Sequence, residues 1–297
     1  MRRQKARHGE RAVMGVIGGA AGLSVLITIG IVVALLLPAL SFFREVSIVD
    51  FLTGTRWAPT FSDASFGVLP LITGTLWTTV IGLCIAVPFG LGAAVFLSEY
   101  AKPQVRKVLK PVLEVLAGVP SVVYGYFALT FVSPVLLNDV LNLGTGSYSV
   151  LAAGLVLGVM IIPTVASLSE DAMSAVPSAL RQGSFALGAN KMRTTLRVVF
   201  PAAISGIAAS IVLGLSRAVG ETMIVALAAG TRAQMVGSPT SNGQTMTGFI
   251  AQTATGESTP GTLTYNSLFA VGLLLFVVTL IMNLISIALV RRYREAY

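Results

Sequence analysis

Six stretches of this chain carry no Asp, Glu, Lys or Arg: Ala12 to Phe43, Ala64 to Ser98, Val115 to Asn138, Val140 to Ser169, Val198 to Ser216 and Ser258 to Val290. A helix needs about 20 apolar residues to cross the hydrocarbon core of a bilayer, and each stretch can hold one crossing. The pattern therefore predicts six spanning helices, over roughly 14–41, 71–98, 112–137, 149–169, 202–229 and 265–290. Pro88, Pro120 and Pro163 fall inside these spans, where neighbouring helices can satisfy the freed carbonyls. The fold class is an all-α membrane protein. Its expected organisation is a tail over 1–13, a transmembrane domain over 14–290 with a polar loop at 170–200, and a second tail over 291–297.

That loop breaks the alternation of apolar spans and short connectors. It is long enough to form structure of its own, and it reads as two short helices meeting at a glycine. Pro177 suits the first helical position, where a missing N–H is harmless. Gly188 suits the end, where a positive φ is wanted. Asn190 can cap the next helix, which places Met192, Leu196 and Val199 on one face and Lys191 and Arg193 away from it. It then runs into Pro201 and the following span.

Composition supports the membrane assignment. The chain is 55% hydrophobic and 11% charged, with a mean hydropathy of +0.84, whereas a soluble domain carries about 25% charged residues. The net charge of +8 is spread along the loops. Sixteen Lys and Arg lie in the two tails, the 99–114 loop and the 170–200 loop, against three (Arg44, Arg56, Arg232) on the other side. The positive-inside rule then puts both termini and the Gly188 loop in the cytoplasm, with the first span an uncleaved anchor. Basic residues strung along a membrane edge do not form a nucleic-acid face. Cys84 is the single cysteine and reads as a small packing residue within a span. His8 is the single histidine, so metal sites and His-based catalysis have almost no material.

Two segments on the outer side are long. Residues 44–68 are rich in aromatics (Phe51, Trp57, Phe61, Phe66), which suits either the lipid interface or a cap on the bundle. Residues 230–264 are rich in Gly, Ser and Thr, with a weakly helical middle from Met246 to Ala254. Gly18–Gly22 and Gly154–Gly158 have the small-xxx-small spacing of helix packing.

Arg217 and Glu221 are the charges set deep within a span. Four residues apart, they can pair on one helix face. Two readings stay open: an ion pair holding helices together, or a pathway in which the guanidinium meets an oxyanion such as phosphate. No Gly-x-x-x-x-Gly-Lys-Ser/Thr occurs, so the chain has no P-loop, and ATP-driven transport would need a separate ATPase. Neither paired inward carboxylates nor a nucleophile with its base is evident, which argues against an enzyme, and no cofactor is implied.

The spacing Gly188, nine residues, Val198, one residue, Phe200, Pro201 resembles the "EAA" loop of ABC importer permeases, with Gln182, Gly183 and Ser184 at the Glu-Ala-Ala positions. Residues 66–101 and 116–129 and SRAVGETM at 216–223 resemble phosphate-specific ABC permeases. Gly-Glu-Thr-Met and Arg56-Trp57-Ala58-Pro59 look more like the C-type (PstC) than the A-type branch. The resemblance implies a type I (MetI-like) bundle forming half of a phosphate pore in the membrane. Its expected partners are a PstA-type second permease, a PstB-type ATPase dimer docked on the loop and a PstS-type phosphate-binding protein outside. An importer for sulfate or molybdate is the alternative within the class. A secondary transporter working without ATP is the alternative outside it, though such proteins tend to show repeats that are not evident here.

Overall fold

The computed structural model describes residues 2–256 and 259–292. The remainder of the expected C-terminal tail, with Arg294, lies outside the described residues. Helix α1 (Arg2–Glu45) is followed by the short α2 (Ile48–Thr53) and a two-stranded hairpin. There β1 (Trp57–Ala58) pairs antiparallel with β2 (Ser65–Phe66), Trp57 opposite Phe66. Then come α3 (Leu69–Tyr100), α4 (Pro103–Ala117), α5 (Ser121–Val140) and α6 (Val150–Ser174). The polar loop holds α7 (Ser178–Ala186) and α8 (Lys191–Ala202). The chain ends in α9 (Ile204–Val219), α10 (Met223–Ala228), α11 (Met246–Thr255) and α12 (Leu263–Arg292).

Five of these helices are long and apolar enough to cross a membrane, α1, α3, α5, α6 and α12, and the bent pair α8 and α9 makes up to a sixth. The expected tail over 1–13 is already helical from Arg2, because its Arg, Gln, Lys and Ala are good helix formers and nothing stops the helix before residue 14.

Two expected spans are corrected. The third starts at Ser121 rather than 112, since Pro120 cannot donate and biases Val119 away from helix. Pro120 therefore precedes a span instead of lying inside one. Residues 103–117 form the separate α4, which is amphipathic. The fifth span, expected over 202–229, is interrupted twice. Ala203 separates α8 from α9 at an angle of 72°, and Gly220–Thr222 separate α9 from α10.

The bundle is built on α3 against α6. Glycines let the two backbones approach: a Cβ added at Gly154 would lie 2.7 Å from the Ile81 Cβ, and one at Gly158 would lie 2.8 Å from the Gly82 carbonyl oxygen. The spacing at Gly154–Gly158 is thus a packing seam. At Gly18 and Gly22 no atom lies within 4 Å of the added position. Leu157, Met160, Ile161 and Val165 of α6 form the central core. At the hairpin end, Phe42, Phe51, Trp57, Phe66 and Phe249 pack edge to face, with Trp57 and Phe249 centroids 4.9 Å apart. The aromatic segment is therefore a cap on the bundle, although Phe61 stays exposed. The helical middle of 230–264 is α11. Cys84 faces outward from α3 instead of packing inside it, because the seam with α6 takes the Ile81, Gly82 and Ile85 side.

Candidate functional site

At the end of the bundle opposite the hairpin, the loop forms the turn its sequence calls for. Pro177 stands one position earlier than expected: it is the extended N-cap (φ −55°, ψ 134°), and Ser178 takes the first helical position of α7. Gly188 closes it at φ +78°, with its N–H on the Phe185 carbonyl at 2.9 Å and the Ala189 N–H on that of Ser184 at 3.1 Å. The Asn190 Oδ1 then accepts from the Arg193 N–H at 2.8 Å and starts α8. The hydroxyls of Ser184 and Thr194 bond across the turn at 2.9 Å. Gln182 and Gly183 are exposed, Val198 and Phe200 half-buried, and Pro201 exposed.

The expected apolar face of α8 is corrected. Val199 is buried, but together with Thr194 and Thr195, while Met192 and Leu196 point outward. The cause is a π-helical turn over Thr195–Val199, whose extra residue rotates the register just before Pro201. Leu187 (90% exposed), Met192, Leu196 and Phe185 leave an apolar surface around the Gly188 turn.

Below the loop lies a charge cluster with no local signature. Glu170, near the end of α6, has a side chain with no exposure. It is clamped by Arg106 and by Lys110 (Nζ to Oε2, 2.8 Å), one turn apart on α4, and accepts from the Ser174 hydroxyl at 2.8 Å. Lys110 also pairs with Asp171. The bonds to Asp171 and then Glu170 raise the Lys110 pKa against the opposing pull of burial. Nearby, Arg181 of α7 meets Glu99 in the last turn of α3 at 2.8 Å. Sequence reasoning missed both clamps. The traces that could have found them are Arg106 and Lys110 at i, i+4 on an amphipathic helix and a Glu-Asp pair closing an apolar run.

The mid-span pair behaves differently from expectation. Arg217 donates Nη1 to the Thr164 hydroxyl at 3.2 Å, its one hydrogen-bond partner among the described residues. No Arg217–Glu221 ion pair forms among those residues. Gly220 ends α9, so Glu221 does not follow one turn later on the same face. Its carboxylate instead accepts from the backbone N–H groups of Met223 (3.0 Å) and Ile224 (3.3 Å), capping α10. The Glu221 carbonyl accepts from the Thr247 hydroxyl at 2.6 Å. Beside Arg217, Ser216 donates to the Asn283 side chain at 2.9 Å. A half-buried guanidinium thus stands next to a break in a helix otherwise apolar, with its fork available to a planar or tetrahedral anion. Among the described residues, no cluster of His, Cys, Asp and Glu could hold a metal ion.

The arrangement of spans, broken helix and protruding helical loop is that of a known bundle. Solved structures of similar fold include an inward-facing MetNI methionine ABC transporter, with a TM-score of 0.55 and 19% identity over 77% of this chain and 95% of that one. Another is a bacterial ABC transporter involved in alginate import, with a TM-score of 0.59 and 17% identity over 89% and 96%. A family profile described as "Binding-protein-dependent transport system inner membrane component" matches residues 86–295. The chain belongs to this family of ABC importer permeases, and within it to the PstC-type branch. The probable ABC transporter permease protein YqgH of Bacillus subtilis is 41% identical over 246 residues, covering 83% of this chain and 77% of YqgH. The phosphate transport system permease protein PstC 1 of Mycobacterium tuberculosis is 36% identical, covering 82% of each. PstC of Haemophilus influenzae is 33% identical, over 83% and 82%. The relatives are transport permeases, and this chain is a multi-pass membrane protein of the same kind.

The α4 clamp generates a direct expectation. Glu170→Gln leaves two cations against a neutral amide. Because Arg106 and Lys110 are partly exposed, the loss should be about 1–2 kcal/mol of local stability, short of the cost of a fully buried pair. Hydrogen exchange in purified protein should show protection over 103–117 falling roughly tenfold, with α6 little changed. Since the Lys110 pKa is raised, its contribution is complete at neutral pH. It is lost only as pH rises past the ordinary lysine value of 10.5. Protection of α4 that collapses at about pH 8, or that ignores Glu170→Gln, contradicts the clamp.

Proposed function

We propose that this chain forms half of a phosphate import pore in the cell membrane. A PstA-type permease supplies the other half, a PstB-type ATPase dimer the energy, and a PstS-type protein delivers phosphate to the outer mouth. ATP hydrolysis belongs to the ATPase dimer; this chain converts movement of its loop into a change in which side of the pore is open. The observation that carries the reading is Arg217, a guanidinium within a broken span of a PstC-type permease, bonded to Thr164 alone among the described residues. A helix interrupted at the site is a recurrent way for transport proteins to bring polar groups to the pathway. The capping role of Glu221 favours the pathway reading of Arg217 over a structural ion pair. The loop residues Pro177, Gln182, Gly183, Ser184, Gly188, Val198, Phe200 and Pro201 form the ATPase-coupling element, with the exposed apolar residues around Gly188 as its contact. Basic residues favour a cytoplasmic loop and cytoplasmic termini, leaving the aromatic hairpin and α11 outside.

Orientation is tested by single-cysteine labelling in a Cys84→Ser background: position 191 should react only from the cytoplasm and position 241 only from outside. Outer labelling at 191 contradicts the coupling role. The site is tested by uptake of radiolabelled phosphate into liposomes carrying the complete complex with its binding protein. Arg217→Gln should abolish uptake while the complex still assembles. Arg217→Lys keeps the charge but loses the bidentate fork, and should lower uptake about tenfold. Near-normal uptake by Arg217→Gln, or sulfate or molybdate carried in preference to phosphate, contradicts the proposal.

A further inference from the structure

One charged side chain of α7 faces the bundle instead of the solvent. On α7, Ala179, Gln182, Gly183 and Ala186 are exposed, while Leu180, Arg181 and Ser184 turn inward. Arg181 is the only charged residue of α7, and its side chain is 19% exposed against 7% for its partner Glu99.

Its guanidinium makes four hydrogen bonds, three of them to two transmembrane helices and one to the connection that follows α6. Nε and Nη2 donate to the Glu99 Oε1 at 3.2 and 2.8 Å, in the last turn of α3. Nη2 also donates to the Met173 carbonyl at 2.8 Å, and Nη1 to the Val176 carbonyl at 2.6 Å, at and just beyond the end of α6. The Met173 carbonyl belongs to the last turn of α6, whose partial negative charge adds to that of Glu99. Four bonds to a planar fork fix orientation as well as distance.

We propose that Arg181 is the strut of the coupling loop, the positioning residue through which displacement of α7 is delivered to α3 and α6 together. The inference rests on the coupling role proposed for the loop and adds the residue that carries the force. Apolar packing of Leu180 against the cluster that contains Met173 and Val176 holds α7 to the bundle, but apolar contact is non-directional and lets it slide. The guanidinium resists sliding, because any shift of α7 along the bundle breaks bonds to both helices at once. The two helices so joined share the glycine seam, so they move as one body.

The test uses the complex with its ATPase subunit and needs no substrate, so its outcome is independent of the phosphate assignment. In a Cys84→Ser background, Thr164→Cys reports access to the Arg217 region, read as the rate of reaction with a membrane-impermeant thiol reagent with and without a non-hydrolysable ATP analogue. The parent should show a nucleotide-dependent change in rate. Arg181→Gln should retain the ATPase subunit yet lose about tenfold of that response, and Arg181→Lys should fall between. A full nucleotide response in Arg181→Gln, or loss of the ATPase subunit from that variant, overturns the proposal.

Discussion

In a bilayer the hydrophobic effect does not draw one apolar helix to another, so the contact of α3 with α6 has to come from surfaces that fit closely. Gly82, Gly154 and Gly158 remove the side chains that would hold the backbones apart, and Ile81, Ile85 and Leu157 fill the space beside them. Gly214 lets α9 lie against Ile161 and Val165 of the same helix, and Gly125 seats α5 on α10. The glycines of the core thus set α3 and α9 against α6, and α5 against α10. The close-packed pair at the centre is also the wall against which α7 and the broken span lie.

Charge is placed where that pair reaches water. Glu99 closes α3, Glu170 and Asp171 close α6, and each carboxylate is met by a cation from another element, Arg181 from α7 and Arg106 and Lys110 from α4. Burying Glu170 alone would be prohibitive, but two cations and a hydroxyl offset the desolvation. The result is that α7 is tied to both α3 and α6, and the amphipathic α4 to α6. The opposite end is closed by aromatic rings, from Phe42 across the hairpin to Phe249. There a cleft of about 920 Å³ opens between Trp57, Arg232, Gln244 and Thr264.

Much of this was legible in the sequence, for local reasons. Uncharged runs locate the spans because exclusion of charge is the strongest constraint lipid imposes. The turn at Gly188 was legible because Pro177, Gly188 and Asn190 each act on their own backbone. What was not legible depends on distant partners. Glu170 and Arg106 are 64 residues apart, Glu99 and Arg181 82 apart, and no periodicity links them. The Arg217–Glu221 pairing failed because it assumed an unbroken helix; Gly220 and the capping preference of a carboxylate gave Glu221 a nearer use. The face of α8 failed for a related reason, since one extra residue in a π turn redirects every side chain after it.

On the proposed function, this chain opens and closes a pore only when a separate ATPase acts on its loop. The most direct measurement is transport by liposomes containing either the purified chain alone or the complex recovered with it under mild detergent, each with and without ATP inside the ATPase-facing compartment. A second permease and an ATPase subunit should copurify, only their complex should transport, and transport should stop without ATP. Steady uptake by the lone chain, indifferent to ATP, would contradict it.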